Sequence, residues 1–200
     1  LISYINSQEG FTAPLPESIK EKADKIIKSG KKGLELAQEL RSITIQNINH
    51  FYPDKDIVYT NVHSPEENWT SNQATPLELA LTLKKILNYA GFEAFVVSEV
   101  YPDYYDHNVG NWYIFESPVV RLDLEKEIYY FSPQYKNKTD FEYYQETADY
   151  ISLEKEDKLV VTDKELPANL IQLKGTLSLI GTSLKGSMSL MLEGTCNPYY

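Results

Sequence analysis

The sequence predicts an α+β fold, on three observations. Apolar residues recur at helical spacing through the first ninety positions. Beyond Gly91 the pattern changes to short β-rich runs. Leu124-Glu125-Lys126-Glu127 between two of those runs, and Gly181-Thr182-Ser183 in the tail, fit hairpin turns. Within the first part, residues 1–16 read as an extended leading segment closed by Pro14-Leu15-Pro16. Ile19, Ala23, Ile26 and Ile27 then mark a helix that Gly30 stops. A second helix is expected from Gly33 to about His50, with Leu36, Ala37, Leu40, Ile43 and Ile48 on its apolar stripe. The polar stretch from Asp54 to Gln73 reads as a long structured loop, with a short strand candidate at Ile57-Val58-Tyr59.

The third helix has the strongest local signal. Thr75-Pro76-Leu77-Glu78 is a capping box with proline at the first helical position. Leu77, Leu79, Leu81, Leu83, Ile86, Leu87 and Ala90 follow, and Gly91 is placed to end the helix in a left-handed conformation. Apolar residues on more than one face imply a central, buried helix. Strands are expected at Ala94–Val97, Trp112–Phe115, Val119–Leu124 and Ile128–Phe131, with a hairpin turn at Leu124-Glu125-Lys126-Glu127. Residues 139–165 hold nine carboxylates against three lysines, the pattern of a solvated face, with short strand candidates at Tyr150–Leu153 and Leu159–Val161. In the tail, Ile171, Leu173, Leu177 and Leu179 alternate on one strand, and Leu184, Met188, Leu190 and Leu192 on the next, around a turn at Gly181-Thr182-Ser183. The organisation expected is therefore a leading segment (1–16), a main domain (17–166) and a β-hairpin tail (167–200) that belongs to or docks on an adjacent β domain.

Composition narrows the function. The 200 residues carry 19 basic and 29 acidic side chains, a formal charge of -10 that repels a phosphate backbone and argues against nucleic-acid binding. No run approaches the roughly 20 apolar residues a membrane-spanning helix requires. The single cysteine, Cys196, rules out an internal disulfide framework and a Cys-rich metal site. The chain starts Leu1-Ile2-Ser3 without an initiator methionine or leader, so a fragment or a processed product is expected. Of sixteen tyrosines, ten fall between Tyr101 and Tyr150, where half-buried strand positions are the plainer reading and a wet binding surface the sharper one.

Candidates for chemistry are sparse. Cys196 lies near the chain end, far in sequence from any helix N-terminus. His50 suits a helix C-terminal dipole, and His63 reads as a loop residue. Asp103, Asp106 and His107 lack the fixed spacing of a calcium loop and read as a solvated turn, so neither a metal nor a cofactor is expected.

Two helices, a loop, a central helix ending in Ala-Gly and then antiparallel strands resemble the bacterial transglutaminase-like domain of the papain-type cysteine fold. Leu79–Ala94 (LALTLKKILNYAGFEA) is similar to that family's segment after the catalytic cysteine, and Lys22–Tyr52 to the two helices before it. The closing hairpin, Leu170–Glu193, resembles the β-rich segment that follows this domain in multi-domain envelope proteins. The family's activity needs a thiol at the head of the central helix, an imidazole on the sheet and a carboxylate to orient it. At the matching positions this sequence has Pro76, Ser117 (in Phe115-Glu116-Ser117-Pro118-Val119-Val120) and Ser132 (in Tyr129-Tyr130-Phe131-Ser132-Pro133). The resemblance thus implies a catalytically inactive binding or scaffolding module, set in the periplasm or cell envelope and joined to adjacent domains of its own polypeptide. Trp69, Asn72 and Gln73 before the helix, with Tyr130 across the sheet, are the residues expected to line a cleft for a peptide or glycan; ordinary loop and strand roles are the alternative. A competing expectation is a hydrolase or acyltransferase rebuilt from Ser117, Ser132 or Thr75 with His107. A third is a pure spacer, favoured if the protein's own side chains fill the groove.

Overall fold

A computed structural model describes residues 4, 6–52, 61–100, 118–125, 127–133, 149–154 and 170–193. The chain divides into two units, Leu1–Thr162 and Asp163–Tyr200. The expected strands at Ile57–Tyr59, Trp112–Phe115 and Leu159–Val161 lie outside the described residues.

In the first unit the helices are α1 (Glu9–Thr12), α2 (Glu17–Ile27), α3 (Gly33–Asn47), α4 (Pro65–Ser71) and α5 (Pro76–Tyr89). The leading segment is not extended throughout, because residues 9–12 form the short helix α1. Its Gly10 N–H donates to Val62 O at 2.9 Å, and Gln8 Oε1 accepts from Val62 N at 2.6 Å. These bonds hold the segment against the loop that precedes α4. The helix α3 ends earlier than its stripe suggests. Ile48 leaves the helix in an extended conformation yet stays buried. Asn49–His50 (β1) then pairs in parallel with Gln73–Ala74 (β2), a long-range ladder that outweighs one more helical turn. The region read as loop contains α4, which opens on a second capping box: Ser64 accepts from Glu67 N, and the Glu67 side chain accepts from Ser64 N.

Beyond Gly91, which sits at φ +90° where a side chain would be strained, the chain enters β3 (Glu93–Val100), β4 (Pro118–Leu124), β5 (Glu127–Phe131) and β6 (Asp149–Ser152). They form one antiparallel sheet in the order β5-β4-β3-β6. The helix α5 packs on β3 and β4. Val96 pairs with Val120, which pairs with Phe131, so all three share the face against the helices. Together with Ile19, Leu40, Leu81, Leu83 and Ile86 they form the main core. The alternate residues Val97, Val119, Tyr130 and Tyr150 form a separate buried cluster on the other face. There the rings of Tyr130 and Tyr150 stack at 4.1 Å.

The second unit contains β7 (Leu170–Ile180) and β8 (Ser183–Glu193), an antiparallel hairpin closed by Gly181-Thr182. Its register puts Leu173 opposite Leu190, Gly175 opposite Met188, Leu177 opposite Gly186 and Leu179 opposite Leu184 on one face. The other face carries Lys174, Thr176, Ser178, Lys185, Ser187 and Ser189.

Two stability measurements follow from the first unit. A Cβ at Gly10 would stand 2.3 Å from Val62 Cγ1 and 2.9 Å from the His63 carbonyl, with Val62 itself buried. Gly10→Ala is expected to lower unfolding stability by about 1–3 kcal/mol through overpacking, read by urea titration. Lys85 on α5 donates from Nζ to Ala13 O, and burial, reinforced by neighbouring Lys84, lowers its pKa to about 8. Between pH 8 and the ordinary value of 10.5, the unfolded chain binds a proton there that the folded chain does not. The cost of the buried charge, complete below pH 8, is therefore relieved as pH rises through that window. Lys85→Met removes this rise, so the wild-type minus variant stability difference should shift in favour of wild type from pH 8 to 10.

Candidate functional site

The elements converge on the head of α5. Asn88 near the helix end brackets Ala94, accepting from its N–H at 2.9 Å and donating to its carbonyl at 3.3 Å. The strand β3 therefore starts at the tail of α5 and runs back toward its head. Antiparallel pairing then carries the start of β4, the end of β5 and the start of β6 to that same end. Lys84, late in the helix, meets Glu154, just past the end of β6, at 2.7 Å, as this arrangement requires.

Pro76 occupies the first helical position and is buried. It offers neither a nucleophile nor an N–H. Thr75 is buried beside it, and its hydroxyl accepts from Glu78 N at 3.3 Å, as expected for a cap. Ser132, at the end of β5, is buried, and its carbonyl accepts from Arg41 Nε at 3.0 Å. Arg41 itself is buried on α3. Ser117, His107, Asp103, Asp106 and Cys196 lie outside the described residues.

Of the four residues expected to line a cleft, Trp69, Asn72 and Gln73 lie together at the end of α4, and Tyr130 lies apart from them. Tyr130 lies on the sheet face turned away from α5, since Phe131 points to the helix and neighbouring strand residues alternate. Its hydroxyl is buried and has no hydrogen-bond partner among the described residues, and burial raises its pKa. Trp69 packs against the core and carries Lys22 Nζ 4.6 Å from its ring centroid. Lys22 in turn donates to Asn47 Oδ1 at 2.5 Å. Asn72 is the C-cap of α4 at φ 56°, a left-handed position that asparagine tolerates. Its amide donates to Trp69 O and Asn47 O at 3.3 and 3.2 Å. Gln73 is exposed and pairs with Asn49 in β2. Trp69, Asn72 and Gln73 thus brace α4 against α2 and α3.

A different pair occupies the helix head. Glu78, at 1% exposure, receives three N–H bonds: Thr75 N at 2.7 Å, His63 N at 2.8 Å and His63 Nδ1 at 2.7 Å. A carboxylate only accepts, so the imidazole proton sits on Nδ1. The other ring nitrogen, Nε2, lies 3.3 Å from Asn61 Nδ2. The His63 side chain is 44% exposed. Chemically this is a base with its orienting carboxylate. Among the described residues no hydroxyl bonds the ring. Sequence reasoning treated His63 as loop and Glu78 as a cap alone. The available signal was that a capping glutamate spends one oxygen on its cap and has a second to offer.

No protein-family profile matches the chain, and no curated protein does. Among solved structures, one from Parabacteroides distasonis, described as a "putative protease", superposes with a TM-score of 0.62 at 15% identity. The match covers 80% of this chain and 30% of that one, so the chain spans under a third of its neighbour's length. A likeness at this identity establishes a shared α+β fold. Among the described residues no helix is long and apolar enough to cross a membrane.

The three bonds to Glu78 set a stability expectation. Glu78→Ala leaves buried N–H groups without an acceptor and should cost about 2–4 kcal/mol. Thr75→Ala, which removes only the cap, should cost about 1 kcal/mol. Paired urea titrations check the order.

Proposed function

We propose that this chain is a catalytically inactive transglutaminase-like domain serving as a scaffolding and binding module within a larger bacterial envelope protein. The observation that carries the reading is the head of α5. The position matched to the family's nucleophile is a buried proline, and the adjacent hydroxyl is engaged as a helix cap. The second matched position that the structure describes, Ser132, is buried and tied through its carbonyl to Arg41. Groups engaged in this way hold the helix on the sheet without offering a thiol–imidazole–carboxylate set. Trp69, Asn72 and Gln73 serve local packing, which supports the scaffolding half of the proposal more than a peptide or glycan cleft at that place. The envelope setting and the adjacent domains rest on the family resemblance. The length of the structural neighbour is compatible with a multi-domain parent.

One observation favours a second reading, a hydrolase or acyltransferase with a rebuilt site. The His63–Glu78 pair has the base and orienter such chemistry needs, in a half-exposed place. A serine or threonine brought to Nε2 would complete it.

Transglutaminase and amidase assays separate the two. The scaffold reading expects no turnover above buffer with casein-type amine acceptors or with peptide amides. Turnover lost in His63→Ala, or in Ser132→Ala, would overturn it in favour of the rebuilt enzyme.

A further inference from the structure

Lys85 takes no part in the contacts at the head of α5, yet it is half-buried on that helix. Leu81, one turn earlier on the same face, is buried. Lys85 Nζ donates to the carbonyl of Ala13, two residues before the buried Leu15, so the amine is held at the seam between α5 and the leading segment. That acceptor is neutral. The nearby carboxylate, Glu154 past the end of β6, is already committed: its Oε2 meets Lys84 Nζ at 2.7 Å and its Oε1 accepts from Val96 N at 3.1 Å. By contrast, Lys20 meets Glu17 at 3.3 Å and Lys31 meets Glu39 at 3.2 Å. Among the described residues Lys85 therefore has a peptide carbonyl and no ion pair, beside the positive charge of Lys84.

We infer that Lys85 is a modification site, a nucleophilic amine that takes an acyl group from a small acyl phosphate. The contacts suit this chemistry. An ammonium has three donors and no lone pair, whereas the neutral amine keeps an N–H for Ala13 O and gains a lone pair. Attack of that pair on the acyl carbon forms an N–C bond and breaks the C–O bond to phosphate. Phosphate leaves with the electron pair, and the surplus proton of the amine passes to solvent. The amide product still has one N–H for Ala13 O, and it has lost the charge that burial penalises. Burial, reinforced by Lys84 and opposed by Glu154, lowers the Lys85 pKa from 10.5 to about 8. At pH 7.5 this gives about two hundred times the neutral fraction of an ordinary lysine; lower basicity weakens the nucleophile, leaving an advantage on the order of tenfold. Partial exposure admits a small donor and disfavours a bulky one. The inference is independent of whether the helix head is catalytic.

Labelling of the native protein with acetyl phosphate, read by peptide mass spectrometry over time, tests it. At pH 7.5 Lys85 should be acetylated on the order of tenfold faster than the exposed Lys25 and Lys28. Its rate should be half-maximal near pH 8. Lys84→Met removes the like charge and frees Glu154, so it should slow Lys85 severalfold. In denaturing urea the preference should disappear. Acetylation of Lys85 no faster than of Lys25, a rate still climbing between pH 9 and 10, or a preference that survives in urea would overturn the inference.

Discussion

A carboxylate with 1% exposure is tolerable only when its acceptor sites are filled, and at Glu78 three N–H groups fill them. That one side chain joins three pieces of backbone. Its first bond closes the cap of α5, and the other two fasten His63, hence the loop before α4. Val62, next in that loop, is bonded to Gln8 and Gly10, so the leading segment is anchored through the same point. The helix dipole adds its favourable end to a negative charge placed there. Much of the packing that surrounds the head of the central helix therefore depends on an electrostatic arrangement at its first turn.

On the proposed reading, the same arrangement leaves the position matched to the family's nucleophile without a reactive side chain. A nucleophile there would need a free side chain at the first helical position. Pro76 suits a cap because it lacks an N–H that would otherwise go unsatisfied. Thr75 orients its hydroxyl toward Glu78 N, away from the role of an attacking group. The features that make this a good helix start occupy the Pro76 and Thr75 side chains, and the buried Arg41–Ser132 contact extends this use of polar groups to the end of β5.

Much of the fold was readable because long periodic segments dominate it. The helices α2, α3 and α5 and the tail hairpin each show several turns or alternations, and the structure contains all four. What escaped was short or paired at long range. The seven residues of α4 are too few for a periodic signal, although Ser64-Pro65-Glu66-Glu67 repeats the logic of Thr75-Pro76-Leu77-Glu78 and could have marked it. The early end of α3 depends on a two-residue ladder to residues 73 and 74, which no local pattern reveals. Placing Tyr130 in a cleft missed a constraint that was available: if Phe131 faces the helix, its neighbour faces away. The His63–Glu78 pair joins residues fifteen apart through a loop, and loop closure is not written in spacing.

The central claim is that the groups at the head of α5 hold structure and carry no activated nucleophile. Reaction of the native protein with a fluorophosphonate probe, read by peptide mass spectrometry, tests it most directly, since such probes modify hydroxyls that an adjacent base has activated. The account predicts no adduct on Thr75, Ser132 or any other serine or threonine. A stoichiometric adduct that forms on the folded protein and disappears when His63 is replaced by alanine would contradict it.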